Sequence, residues 1–170
     1  MNLIIVIRIV FLIISSAFIA FLYMLENKIN LLESKIRDLF KKRTNLAPAL
    51  FEISKHYIEK ETEVFAEINY LRKIEFYNSG NNSSFSEFLN NEKKIHYEIE
   101  FLFKVFDKKP KLQKDGKFLY LKDLIIESSS NIGKNISIYK NIIQTYNLLV
   151  NFKNLTIIGL IFPIYKKTNI

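Results

Sequence analysis

The sequence predicts an all-α protein: an N-terminal transmembrane helix followed by an antiparallel four-helix bundle. Three observations carry this. Residues Leu3 to Leu25 form a nearly uncharged apolar run; four later stretches repeat their apolar residues at steps of three and four; and only four Gly and three Pro occur in 170 residues of which 49% are hydrophobic, too few for a turn-rich β architecture.

The first element, LIIVIRIVFLIISSAFIAFLYML, contains one charge, Arg8. As a helix it extends about 34 Å, enough for a hydrocarbon core of about 30 Å. A cleaved signal peptide is the competing reading, with Arg8 in its basic region. Cleavage after Ala20 would require a small residue where Phe18 stands, and the apolar run continues to Leu25, so an uncleaved anchor is expected. A buried core helix fits less well, because the run has no polar face. Lys28, Lys35, Arg37, Lys41, Lys42 and Arg43 follow the span, which by the positive-inside rule places the body in the cytoplasm, while Arg8 counts toward the other side.

Leu25, Ile29, Leu32, Ile36 and Leu39 continue the helix with a heptad-like seam. Pro48 then marks a beginning: proline is tolerated in a first turn, where amide hydrogens lack intrahelical partners, and costs about 3 kcal/mol in an interior. With Asn45 as N-cap, a second helix carries Leu46, Leu50, Ile53, Tyr57, Val64, Ile68 and Leu71, and the short corner makes it an antiparallel neighbour of the first. NSGNNSS, residues 78–84, reads as a loop, and Ser84 with Glu87 has capping-box spacing. The third helix places Phe85, Phe88, Leu89, Ile95, Ile99, Phe103 and Phe106 on its seam and ends before Pro110. After a connection over residues 108–117, the fourth carries Phe118, Leu121, Ile125, Ile132, Ile138 or Tyr139, Ile142, Tyr146 and Leu149, with Gly133 a local weak point. The organisation expected is an anchor at 1–25, a helical bundle at 26–154, and an apolar then basic tail at 155–170. Leu155 to Ile164 is too short to span and either packs on the bundle or lies at the membrane surface.

Reactive constellations are missing from the sequence. With no cysteine there are no disulfides, thiolate metal sites or Cys nucleophile. A di-iron bundle needs two Glu-x-x-His pairs, but Ile53 precedes His56 and Lys93 precedes His96 at that spacing, so both histidines are expected on surfaces or helix flanks. No phosphate loop or nucleophile elbow occurs. The mixed charges Glu52, Lys55, Glu59, Lys60, Glu61 and Glu63 suit a solvated helix face. FLFKVFDKK, residues 101–109, interleaves aromatics with lysines, but Phe103 and Phe106 are on the seam, so core packing is favoured over nucleic-acid binding. A net charge of +8 could suggest nucleic acid or anionic lipid, although the abundance of Lys, Asn and Ile throughout points to composition as a partial cause. No catalytic, cofactor-binding or metal-ligating residues are expected; a pocket lined by Tyr57, Glu61, Arg72 and Tyr139 would reopen the question of an enzyme.

The corner and the helices together resemble the LemA family of bacterial membrane proteins. Lys42 to Leu50 resembles that family's basic-Arg-x-Asp-Leu-Ile-Pro-Asn-Leu run. Lys55, Tyr57, Glu61 and Arg72, then Pro110, Leu112, Lys114, Phe118 and Leu121, and finally Ile132, Tyr139, Ile143, Tyr146 and Asn147 resemble its later motifs in order and spacing. Asn45, Ala49, Lys60, Ser128, Ser129, Ile136 and Lys140 depart from them: apolar positions are kept while polar ones drift. The resemblance implies an anchored bundle in a bacterial inner membrane with no established catalysis, some relatives being linked to membrane shaping. The expected function is therefore a non-enzymatic single-pass membrane protein that engages protein partners or organises the envelope, without nucleic acid. The alternative is a peripheral anionic-lipid binder using Lys28 to Arg43 and the tail from Leu155.

Overall fold

The computed structural model describes residues 3–54, 66, 68–70, 73, 84–154 and 165–167. Among them all regular structure is helical: α1 (Leu3–Thr44), α2 (Ala47–Ser54), α3 (Phe85–Phe106), a 3-10 turn (Leu112–Lys114) and α4 (Gly116–Asn154). The fold is an all-α bundle. Residues 66, 68–70 and 73 are also helical, whereas Tyr57, Val64 and Leu71 of the expected second seam lie outside the described residues.

Each boundary has a local cause. The corner is at Asn45 and Leu46, where Asn45 N–H still donates to the Lys41 carbonyl at 3.0 Å and Leu46 N–H to that of Arg43. α2 thus opens one residue later than the sequence predicted, with the Leu46 carbonyl accepting from Leu50, and Pro48 falls in the first turn as expected. The capping box of α3 forms: Ser84 Oγ accepts from Glu87 N–H, and the Glu87 carboxylate accepts from Ser84 N–H, both at 3.2 Å. α4 starts earlier than its first apolar residue. Asp115 Oδ1 accepts from the amides of Lys117 and Phe118 at 2.9 and 3.1 Å, satisfying two of the first-turn donors.

The buried positions repeat every seven residues. On α1 they are Leu22, Ile29, Ile36 and Arg43; on α3, Phe85, Glu92, Ile99 and Phe106, interleaved with Phe88, Ile95 and Leu102; on α4, Phe118, Ile125, Ile132, Tyr139 and Tyr146. This corrects the expected seams at several points. Leu102 rather than Phe103 is in the core and Glu92 takes a place assigned to no one, while of the two residues left open for the fourth seam Tyr139 is buried and Ile138 exposed. Leu32, Leu39, Leu89, Ile142 and Leu149 are half-buried at the stripe's edge.

The chain divides into two compact units. One comprises Ile36–Lys134, whose core joins Ala47, Leu50, Ile68, Ile95, Leu102, Phe106, Leu112, Phe118 and Ile125. Within it α1 and α3 run parallel, as the contacts of Phe40 with Phe88 and Arg43 with Glu92 require, while α3 and α4 are antiparallel through Phe106 and Phe118. The other unit comprises Met1–Lys35 and Asn135–Ile170, in which α1 and α4 pack antiparallel. Its core is Leu22, Leu25, Ile29, Tyr139, Ile143, Tyr146 and Val150. Burying one such Leu or Ile side chain contributes roughly 1.5–3 kcal/mol, so a seam of this length holds two helices together without any polar contribution.

Candidate functional site

Two polar constellations stand out, one in each unit. In the first, Arg43 and Glu92 occupy heptad positions that elsewhere hold Leu, Ile or Phe, and they pair with each other. Arg43 Nη2 lies 3.1 Å from Glu92 Oε2, with side chains 2% and 0% exposed. Arg43 also donates to the Glu92 carbonyl at 3.4 Å and sits 4.9 Å above the Phe40 ring. Its Nη1 is 3.5 Å from His96 Nδ1. Because guanidinium can only donate, Nδ1 must accept, which puts the imidazole proton on Nε2, 3.2 Å from Glu100 Oε1. Burial, and secondarily the Arg43 charge, hold His96 below its ordinary value of 6.5, against an opposing pull from Glu100. The histidine is on a helix flank as expected, but it is the third of four polar groups, Glu92, Arg43, His96 and Glu100, that run from the core to the surface.

A buried charge is tolerated only when it is paired, and the pairing itself specifies which turn of α1 faces which turn of α3. The arrangement is therefore a registering device at the α1 corner. It changes the status of the basic run. Arg43, expected to be available at the membrane surface, is in the core, and the Arg37 guanidinium stacks on the rings of Phe88 and Phe85 at 4.5 and 5.3 Å. Lys28, Lys35, Lys41 and Lys42 are exposed.

In the second unit the C-terminal residues are fastened to the helices. Asn147 brackets Lys167: its Oδ1 accepts from the Lys167 amide at 3.0 Å and its Nδ2 donates to the Lys167 carbonyl at 2.9 Å. Lys167 Nζ pairs with Glu26 at 3.1 Å, and Tyr146 Oη donates to the Tyr165 carbonyl at 3.4 Å. Further along the same pair of helices, Tyr139 Oη donates to Glu33 at 2.6 Å. Tyr139, Tyr146 and Asn147, singled out in the sequence as matches to a motif, thus use their polar atoms to join α4 to α1 and to the tail. The sequence offered no sign of Glu33 as the partner of Tyr139 or of Glu26 as that of Lys167, because each lies more than a hundred residues from its partner.

Of the four residues that could have lined a pocket, Tyr57, Glu61 and Arg72 lie outside the described residues, as does His56. Among the described residues no group of three or more His, Asp or Glu side chains is placed to hold a metal ion. In FLFKVFDKK, Phe106 is fully buried against Phe118, with ring centroids 5.2 Å apart, and Phe103 is half-buried, so core packing accounts for both. Lys122 reaches Asp107 at 2.7 Å and Gln113 donates to the same carboxylate at 3.0 Å, which secures the connection between α3 and α4.

Among the described residues one helix is long and apolar enough to cross a membrane; it begins at Leu3, and none of its most apolar stretch is buried. Compared with known proteins, the sequence matches the family model described as LemA family over residues 33–168, from the second half of α1 to the fastened tail. None of the curated proteins shows a significant match.

Proposed function

The chain belongs to the LemA family, and from that footing we propose that it is a non-enzymatic, single-pass protein of a bacterial inner membrane whose helical body engages protein partners. The observation that carries this reading is the exposure of the run from Leu3 to Ile14: every isoleucine, leucine and phenylalanine in it, with Val10, is exposed, on a helix that continues without a break into the body. In water such a surface would be costly over its whole length; in hydrocarbon it is the surface expected of a span. The positive charges after Leu25 favour a cytoplasmic body. Proximity labelling from the full chain in intact cells tests the proposal. Reproducible protein neighbours are expected, and labelling indistinguishable from that of an unrelated single-pass protein would count against it.

A second reading, engagement of anionic lipid, is favoured by the exposed Lys28, Lys35, Tyr165 and Lys166, but not by the far end of the basic run. As α1 is continuous, Lys42 is on the order of 25 Å along the helix axis from Leu25. Even a tilt of about 40° leaves it roughly 19 Å from that level, beyond a Debye length of about 8 Å. Lys41 and Lys42, at the far end of the run, therefore contribute little attraction to headgroups. Nanodiscs of mixed composition provide the test: enrichment of anionic lipid around the full chain should weaken as salt rises, and enrichment indifferent to salt would remove this reading.

A further inference from the structure

α4 extends past the level at which α1 would leave the bilayer. The antiparallel pair is tied at Glu33 with Tyr139 and again at Phe18 with Phe152, whose ring centroids are 6.5 Å apart in edge-to-face geometry. Between these contacts Leu22 is covered to 1% exposure. Phe18 is about 10 Å along the helix from Leu25, inside the apolar run, so Phe152 shares that depth.

The polar groups of the same unit mark the boundary. Glu26, Lys167, Asn147 and the exposed Tyr23, Tyr165 and Lys166 form a belt of charges and tyrosines, the composition found at headgroup level. On the far side of that belt α4 presents Leu148 and Phe152, 68% and 63% exposed, one turn apart on a single face. They are continuous, through Phe18, with the uncovered surface of α1.

Resting on the reading that α1 spans the membrane, we propose that the last turns of α4 are a second lipid-contacting element, in which Leu148 and Phe152 insert among acyl chains beside the span. Because α4 runs antiparallel to the span, it enters end-on, with Phe152 about 10 Å below the level of Leu25 and Leu148 about 6 Å nearer the surface. The protein would then hold the membrane by two helices of opposite direction, fixing its body's rotation relative to the bilayer in a way one span cannot.

The chain has no cysteine, so single thiols report cleanly. Full-length Ile14→Cys, Leu148→Cys, Phe152→Cys and Tyr120→Cys, each in vesicles of phosphatidylcholine and phosphatidylglycerol, are treated with a membrane-impermeant maleimide added to both faces by freeze-thaw. A parallel set carries a fluorophore, with lipids brominated in the acyl chain as quencher. Tyr120 is exposed on α4 within the other unit and serves as the aqueous reference. Leu148→Cys and Phe152→Cys should react about tenfold more slowly than Tyr120→Cys, since apolar surroundings suppress the thiolate, and should be quenched by the brominated chains as Ile14→Cys is. Reaction as fast as that of Tyr120→Cys, with Ile14→Cys protected, overturns the insertion and leaves the span standing. Protection without quenching, accompanied by disulfides between two Leu148→Cys chains, would assign the face to a second copy and also overturn it. Should Ile14→Cys itself react freely, the span fails and the insertion with it.

Discussion

Removing either half of the buried Arg43–Glu92 pair should be far more harmful than removing both. At 3.1 Å the two charges attract by about 5 kcal/mol at an effective dielectric of about 20, but desolvating each ion costs several kcal/mol, so the intact pair is close to neutral. Glu92→Leu leaves a guanidinium in the core without its carboxylate, and Arg43→Met leaves the carboxylate without its cation. Each should cost about 3–5 kcal/mol. For a chain of this size that corresponds to a fall in Tm of roughly 6–20 °C, at about 2–4 °C per kcal/mol. The double variant puts Met and Leu at two heptad positions whose neighbours are already apolar, and should unfold within about 1 kcal/mol of the parent or above it. The assay is loss of helical circular dichroism on heating the full-length protein in detergent, with the four proteins forming a double-mutant cycle. Single variants within about 0.5 kcal/mol of the parent, or a double variant as costly as the sum of the singles, would refute the registering role.

Three further outcomes follow from the same contacts. His96 titrates below its ordinary value of 6.5 in the folded protein, mainly through burial, so the unfolded chain binds its proton first. Stability is then full above about pH 6.5 and declines as pH falls toward the lowered value, and His96→Gln should flatten that decline in pH-dependent melts. The hydrogen bond from Lys122 holds the Asp107 carboxyl below its usual range, giving stability that is present above the unfolded value and lost as pH falls through the folded one. Because Asp107 is well exposed, Asp107→Asn should cost no more than about 0.2–1 kcal/mol at pH 7, with the difference from the parent vanishing in acid unfolding. Asn147→Ala removes both hydrogen bonds that bracket Lys167, each contributing about 0.5–1.5 kcal/mol, so amide exchange at Lys167 should speed up about tenfold or more while α4 remains helical.

Much of the fold was legible because helices leave a periodic record. The apolar run, the proline at the corner and the Ser84 and Glu87 capping box each act within a few residues, so sequence spacing alone located them. The errors arose where a side chain's role depends on a distant partner. Arg43 reads as one more surface base in KKRT until Glu92 is found across the core. There was a signal: Phe85, Ile99 and Phe106 repeat by sevens, and Glu92 fills the missing position, a charge where the pattern demands burial. Treating the gap as a place for a buried acid, and then searching for a base at the same heptad phase of a neighbouring helix, would have identified Arg43. The choice between Ile138 and Tyr139 stayed open at the level of sequence. Hydrophobicity favours isoleucine, but the phase set by Phe118, Ile125 and Ile132 selects Tyr139, whose hydroxyl reaches Glu33. The fastening of the tail by Asn147 was illegible, since an asparagine's partner leaves no mark on its own neighbours.

The central claim, that residues 3–25 remain part of the protein and hold it in a bilayer, is tested most directly by the intact mass of the chain recovered from alkali-washed membranes. The account predicts that the chain stays with the membrane pellet and that its mass includes all of Leu3 to Leu25. Recovery in the alkaline supernatant, or a membrane-free form whose mass lacks those residues, would contradict it.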